Sequence, residues 1–159
     1  MRLAEALERE HRDIDGGIEE FTGQLAQGTN DVAPLKRAMA GLRRHIYLEE
    51  EFLFPPLREA GMVMPILVML REHGELWDSM DELDTVLASE SQADASALLE
   101  KCRDLLATLD RHNSKEEPII YTQADTVPSA EANAKMQDFL ASGSTPPGWV
   151  CAKASAARS

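Results

Sequence analysis

Four histidines and two glutamates of this 159-residue chain have the residue types and the spacing of metal ligands. Two of the histidines are followed four residues later by a glutamate, in His45–Glu49 and His112–Glu116. Residues four apart lie on the same face of a helix, so each pair presents an imidazole beside a carboxylate. The chain has no other histidine. The six candidate metal ligands are His11, His45, Glu49, His73, His112 and Glu116.

The six side chains interrupt the apolar stripes of amphipathic helices, where a polar group is costly unless it is paired. A hydrogen-bonded network of histidine and glutamate would satisfy some of them, whereas a pair of cations would satisfy all. Imidazole and carboxylate without thiolate suit iron, manganese or zinc. A structural zinc site needs only four ligands, so six ligands with two carboxylates able to bridge favour a dinuclear centre.

Hydrophobic periodicity predicts the elements that must position these ligands. Apolar residues recur at helical spacing through four long segments, and no segment alternates as a strand does. Proline near residue 55 should end or kink the second helix near Phe54, with a last turn to Gly61, and Pro118 threatens the fourth helix. The predicted helices lie at about 2–27, 31–54, 62–88 and 96–119, with a polar loop at 89–94 and a short helix at about 129–140.

Four helices joined by short loops predict an all-α, antiparallel, up-down-up-down four-helix bundle. Counting from the loops at a rise of ~1.5 Å per residue places all four histidines at one level of that bundle. We therefore expect residues 1–126 to form the bundle, and residues 127–159 to form a short helix and tail that pack on the bundle or on a partner.

Composition narrows the class of partner. The net charge of −12 disfavours nucleic acid and anionic lipid, and no apolar stretch is long enough to span a bilayer. The first residues read as helix rather than as a signal peptide, and two cysteines do not make a disulfide framework. We expect a cytoplasmic protein that binds neither nucleic acid nor membrane.

The ligand motifs resemble those of the hemerythrin-like, HHE cation-binding family, over about residues 3–125. Residues 45–55 are similar to its His-x-x-x-Glu-Glu-x-x-Leu-Phe-Pro motif, and residues 112–121 to a weaker second copy. Residues 10–15 and 71–76 are similar to the two helices of the family that carry a single histidine.

The resemblance implies a hemerythrin-like bundle with a non-haem di-iron centre, in which two iron ions share an oxo or hydroxo bridge. It implies that the four histidines are terminal ligands and that Glu49 and Glu116 bridge. Members of the family bind oxygen, sense oxygen or iron, handle peroxide, or repair and supply iron. The expected ligand is therefore a small diatomic molecule or peroxide. Both an enzyme with catalase-like turnover and a non-enzymatic sensor or iron carrier stay open, and no side chain is assigned a catalytic role.

The chain departs from the oxygen-carrying members of the family. The second histidine of their third helix is replaced by Trp77 in this chain. Their His-x-x-x-x-Asp motif is replaced by His112 with Glu116. Some members carry a carboxylate directly after the second-helix histidine, and this chain has Ile46 there. These departures disfavour simple reversible oxygen carriage. Trp77 is expected to point toward the metal layer, with packing on the flank of the bundle as the alternative.

Several other residues have side chains that could ligate a metal or relay electrons, but a structural or solvent-exposed role is favoured for most of them. Asp15, Glu50 and Glu117 are expected to face solvent or to hydrogen-bond to ligands rather than to ligate. Tyr47 and Tyr121 are expected to be exposed or half-buried aromatic residues, although electron relay is open. Cys102 should pack in the core, and Cys151 is undecided. The apolar stretch 62–70 should be covered by residues 148–150, by a second subunit in a homodimer, or by both.

Overall fold

The structure is a computed structural model that describes residues 2–89 and 95–158 of the chain. It is all-helical, as predicted, and has no strand among the described residues. A π-helical turn at Glu49–Leu53 separates α2 from α3, and 3₁₀ turns occur at Tyr121–Gln123 and Ser155–Arg158. The α-helices are α1 Leu3–Ala26, α2 Ala33–Leu48, α3 Phe54–Glu59, α4 Val63–Ala88, α5 Ala95–Ile119 and α6 Ala130–Ser142.

The long helices pack against one another through their apolar stripes. Helix α1 contacts α2 and α5, and α4 contacts α5 and α2. The stripes build two separate apolar cores. The upper core contains Leu3, Leu7, Leu53 and Met69, and the lower core contains Ile14, Ile18, Leu42, Leu76 and Leu109. The candidate ligands occupy the layer between these cores, since His11 lies between the last upper-core and first lower-core residue of α1.

The bend predicted near Phe54 begins earlier, at Glu49, as a π-helical turn. Proline has no backbone N–H, so Pro55 and Pro56 cannot continue the α-helical hydrogen bonds of this segment. The last available donor, the N–H of Phe54, reaches five residues back to the carbonyl oxygen of Glu49. Pro118, in contrast, lies inside α5, which ends one residue later. The loop predicted at 89–94 lies outside the described residues, except for Ser89.

Residues after 126 lie on the helices that carry the ligands. Ser129 caps the N-terminus of helix α6, where its hydroxyl accepts a hydrogen bond from the N–H of Ala132, and α6 adds Met136 to the upper core. The indole ring of Trp149 packs against Tyr47 and Trp77, so it does not cap the exposed side of the stretch 62–70. There Val63 and Met64 stay 44% and 67% exposed. None of the described helices is long and apolar enough to cross a membrane.

Candidate metal centre

The six predicted ligands meet in the layer between the two apolar cores. None of these residues is more than 4% exposed. Their ligand atoms form two groups, within each of which every atom lies within 4.8 Å of the others. Group 1 consists of His11, His45, Glu49 and Glu116, and group 2 consists of Glu49, His73, His112 and Glu116.

The two glutamates belong to both groups because each turns one oxygen to each of them. Oε2 of Glu49 lies 3.3 Å from Nε2 of His45 in group 1, and its Oε1 lies 3.1 Å from Nε2 of His73 in group 2. Oε1 of Glu116 lies 3.2 Å from Nε2 of His11, and its Oε2 lies 3.2 Å from Nε2 of His112. This is the arrangement that two bridging carboxylates require.

A second set of carboxylates surrounds the histidines and fixes their rings. Each histidine donates its Nδ1–H to a glutamate of the neighbouring helix, because an ionised carboxylate can only accept. The Nε2 atom of each ring is thereby left facing the interior, as in a metal-binding histidine with an outer carboxylate. The Nδ1-to-oxygen distances are 2.8 Å for His45–Glu10, 2.8 Å for His73–Glu50, 2.9 Å for His112–Glu72 and 3.3 Å for His11–Glu117.

These outer glutamates form a closed circuit around the helices. Glu10 of α1 accepts from the histidine of α2, and Glu50 of the π-helical turn accepts from the histidine of α4. Glu72 of α4 accepts from the histidine of α5, and Glu117 of α5 accepts from the histidine of α1. Glu50 and Glu117 thus hydrogen-bond to candidate ligands, which is one of the two roles expected for them. Glu10 and Glu72 were missed. Their one sequence signal is that each directly precedes a histidine, but that histidine is not the one each serves.

Two successive glutamates point inward at the π-helical turn. Glu49 is fully buried and the side chain of Glu50 is 5% exposed, so both point inward. A regular α-helix would turn the second side chain by about 100° away from the first. A wider turn reduces that rotation, and such turns recur at functional sites of helices.

Group 2 contains polar atoms that no protein group satisfies. Glu49 Oε1, His73 Nε2 and Glu116 Oε2 are buried without a hydrogen bond, although His73 Nε2 and Glu49 Oε1 are close enough for attraction. Native proteins pair nearly all buried polar atoms, so three orphans facing one point require an explanation. A cation bound by those three atoms would explain them, and the donor set of imidazole and carboxylate suits iron, manganese or zinc.

The electrostatics of the layer also favour positive charge. Burial acts to lower the pKa of His45, but the charges of Glu49 and Glu10 outweigh it and raise that pKa to about 10. Burial likewise acts to raise the pKa of Glu116, yet the neighbouring imidazoles of His112 and His11 hold it well below its usual value. Burial and the charge of Glu116 act to raise the pKa of Glu49, but His45 and His73 lower it below its usual value, so both buried carboxylates are ionised at neutral pH.

Tyr121 was expected to be exposed or half-buried, and this expectation was wrong. The residue is 1% exposed, and its ring stacks on His11 with the ring centroids 5.2 Å apart. Its hydroxyl group enters group 1 and donates to Oε2 of Glu49 at 2.6 Å. Burial and the charges of Glu116 and Glu49 raise the pKa of Tyr121 well above its usual value in the absence of a cation.

Trp77 and Cys102 take the plainer of the roles considered for them. Trp77 is buried, but its ring contacts Trp149 and lies under the guanidinium group of Arg43, which supports packing on the flank. Cys102 and Cys151 are both buried and unbridged. Burial raises the pKa of the Cys102 thiol to about 11, so it packs rather than reacts.

Residues 2–124 match the family model of the hemerythrin HHE cation-binding domain. The match covers most of the chain, including every residue of groups 1 and 2, and the chain belongs to this family. The family is defined by cation binding, which agrees with the buried histidine and glutamate groups. No curated protein and no solved structure gives a significant match.

Proposed function

We propose that the protein holds a non-haem di-iron centre and uses it to react with oxygen, peroxide or nitric oxide. His11 and His45 would hold one ion, His73 and His112 the other, and Glu49 and Glu116 would bridge them. The observation that carries this proposal is that both glutamates direct one oxygen to each group. The proposed scaffold is an antiparallel, up-down-up-down bundle of the four long helices.

The iron pair would supply redox chemistry, and the protein would supply position, dryness and charge. The outer glutamates hold each Nε2 toward the interior, and the ionised bridging carboxylates offset the charge of two cations. Apolar cores above and below the layer limit the access of water. The ring of Phe54 stacks on His73 with centroids 5.4 Å apart and closes the upper side of group 2.

Elemental analysis of the purified protein tests the di-iron proposal. About two irons per chain, with near-ultraviolet oxo-to-iron absorption, are expected. Steady-state consumption of peroxide, lost in His45→Ala and Glu49→Ala but retained in Glu5→Ala, would support reactivity at this site. A protein that is purified from iron-replete cells with zinc and without iron would contradict it.

A non-enzymatic redox or iron sensor is the second candidate, because the chain's C-terminal segment is connected to a ligand. Oε2 of Glu50 accepts from Nδ1 of His73, and its Oε1 accepts from the backbone N–H of Ala152 at 2.9 Å. A shift of His73 would move Glu50 and thereby displace Ala152. Absence of turnover, together with proteolysis of the segment after residue 143 that depends on iron or redox state, would favour the sensor.

A further inference from the structure

A fifth donor atom lies against the four donor atoms of group 1. The hydroxyl oxygen of Tyr121 lies within hydrogen-bonding distance of one donor atom from every member of the group. Those distances are 2.6 Å to Glu49 Oε2, 2.8 Å to His45 Nε2, 2.9 Å to His11 Nε2 and 3.0 Å to Glu116 Oε1. We propose that Tyr121 is a metal ligand and that its phenol oxygen is the fifth protein donor of group 1. The inference rests on the proposed metal function of that group.

The distances match those between neighbouring ligands of a six-coordinate ion. Where metal–ligand bonds are about 2.0–2.2 Å, adjacent ligand atoms of an octahedron are about 3 Å apart. The imidazole nitrogens of His11 and His45 are themselves 3.1 Å apart, and Glu116 Oε1 is 3.2 Å from the first of them. The Tyr121 oxygen therefore has the spacing of a ligand adjacent to all four.

The local structure holds this hydroxyl group in place. Helix α5 ends at Ile119, and the following 3₁₀ turn begins at Tyr121, five residues after Glu116. The stacked ring of His11 and the upper core enclose the phenol ring. A phenylalanine would fill the same apolar volume, so the oxygen placed among two ionised carboxylates and two imidazoles needs a reason beyond packing.

Ligation by Tyr121 makes the two groups unequal. Group 1 then has five protein donors, whereas group 2 has four and contains the three orphaned polar atoms. On ligation the phenol O–H bond breaks, an oxygen–metal bond forms, and the proton leaves to solvent. Phenolate is a hard anionic donor that favours ferric iron. An exogenous oxygen, peroxide or nitric oxide molecule is consequently directed to the group 2 side.

Ferric iron provides a direct readout, because a bound phenolate gives a charge-transfer band in the visible region. The full-length protein is loaded with iron, oxidised, and assayed for iron content and for its visible spectrum. We expect the wild type to show the band and Tyr121→Phe to lose it while still containing iron. The chain has only two tyrosines, so Tyr47→Phe is the matched control and should keep the band.

Resonance Raman spectra excited within the band identify its source even if Tyr121→Phe does not fold. Tyrosinate ring vibrations that persist in iron-loaded Tyr47→Phe must come from Tyr121. An iron-loaded wild type without the band, or a band that survives in Tyr121→Phe, would overturn the assignment. A protein that binds no iron under any loading condition fails at elemental analysis, and overturns the proposed function and this ligand together.

Discussion

Glu10 precedes His11 in the chain but accepts its hydrogen bond from Nδ1 of His45 on the neighbouring helix, at 2.8 Å. The other oxygen of Glu10 accepts from Arg44 at 3.1 Å. Arg44 also donates to the backbone carbonyl oxygens of Leu140 and Gly143 at the end of α6, both at 2.9 Å. One carboxylate thus connects a candidate ligand to a helix outside the four-helix layer.

This connection predicts that Glu10 controls metal affinity without ligating. Glu10→Gln keeps an acceptor of similar shape but removes the charge that orients His45 and pairs with Arg44. We expect iron affinity to fall about 10- to 100-fold, as for other hydrogen-bond partners of metal-bound histidines. Competition with a chelator of known affinity measures the change.

The matched control is Glu5→Gln, which removes an exposed carboxylate from the same helix. Its affinity should equal that of the wild type. Equal affinities of both variants and the wild type would mean that the outer glutamates do not support the site.

Removing a shared ligand should cost more metal than removing an unshared one. Glu49 contributes to both groups, whereas His112 contributes only to group 2. We expect Glu49→Ala to lose most of its iron and His112→Ala to retain about one ion per chain in place of about two. Elemental analysis at fixed protein concentration measures the difference. Identical stoichiometries for the two variants would argue against bridging by Glu49.

The depth of the candidate ligands in the bundle could be predicted, because helical geometry relates spacing along the sequence to distance along the helix axis. His11 and His73 interrupt stripes that are otherwise apolar, and counting from the loops placed them at one level. The structure brings them into one layer, and the helices carrying them have nearly the predicted bounds.

The partners of the ligands could not be predicted in the same way, because they depend on how neighbouring helices rotate against each other. The sequence places Glu72 beside His73, yet the structure pairs it with His112. Tyr121 lies three residues after Pro118 and beyond the end of α5, outside every helical stripe, so periodicity does not predict the direction of its side chain. At the π-helical turn that begins at Glu49, the backbone hydrogen bond reaches five residues back instead of four, and residue spacing alone does not reveal this change.

Gly74 lies where the C-terminal segment approaches α4 most closely. A Cβ atom at this position would overlap the backbone carbonyl group of Lys153. We expect Gly74→Ala to push this segment away, to break the nearby hydrogen bond from Ala152 to Glu50, and to destabilise the fold by about 1–3 kcal/mol. Urea unfolding monitored by circular dichroism measures the loss.

Gly23→Ala provides a control of opposite sign. Gly23 lies within α1, and a Cβ atom there meets no other atom within 4 Å. Alanine should stabilise that helix by about 0.5–1 kcal/mol. If both substitutions stabilise the protein, the C-terminal segment does not dock against α4 as described.

The two cysteine thiols should be slow to react in the folded protein. Burial raises the pKa of Cys102 to about 11, and burial together with the charge of Glu50 raises that of Cys151 to about 12. Because only the thiolate attacks, its population at pH 8 is at least about a hundredfold below that of a free cysteine. Reaction with an aromatic disulfide reagent should accelerate as pH rises, and on unfolding in urea.

Gly74→Ala should make the two thiols react at different rates. Displacing the C-terminal segment would expose Cys151, which belongs to it, but not Cys102, which lies within α5. One rapidly reacting thiol per chain is therefore expected in this variant. Two rapidly reacting thiols would indicate general unfolding, and none would indicate that the segment keeps its place.

The resemblance to oxygen-carrying hemerythrins implies a histidine ligand at position 77, but the Trp77 ring packs against Trp149 and Arg43. It lies 5.5 Å from the ring of Trp149 and 5.4 Å from the guanidinium carbon of Arg43. We expect Trp77→His to leave iron content and the iron spectrum unchanged, because an imidazole in that direction does not reach group 2. Loss of buried aromatic volume should lower stability by about 2–4 kcal/mol. A shifted iron spectrum at full iron occupancy would mean that residue 77 borders the metal centre after all.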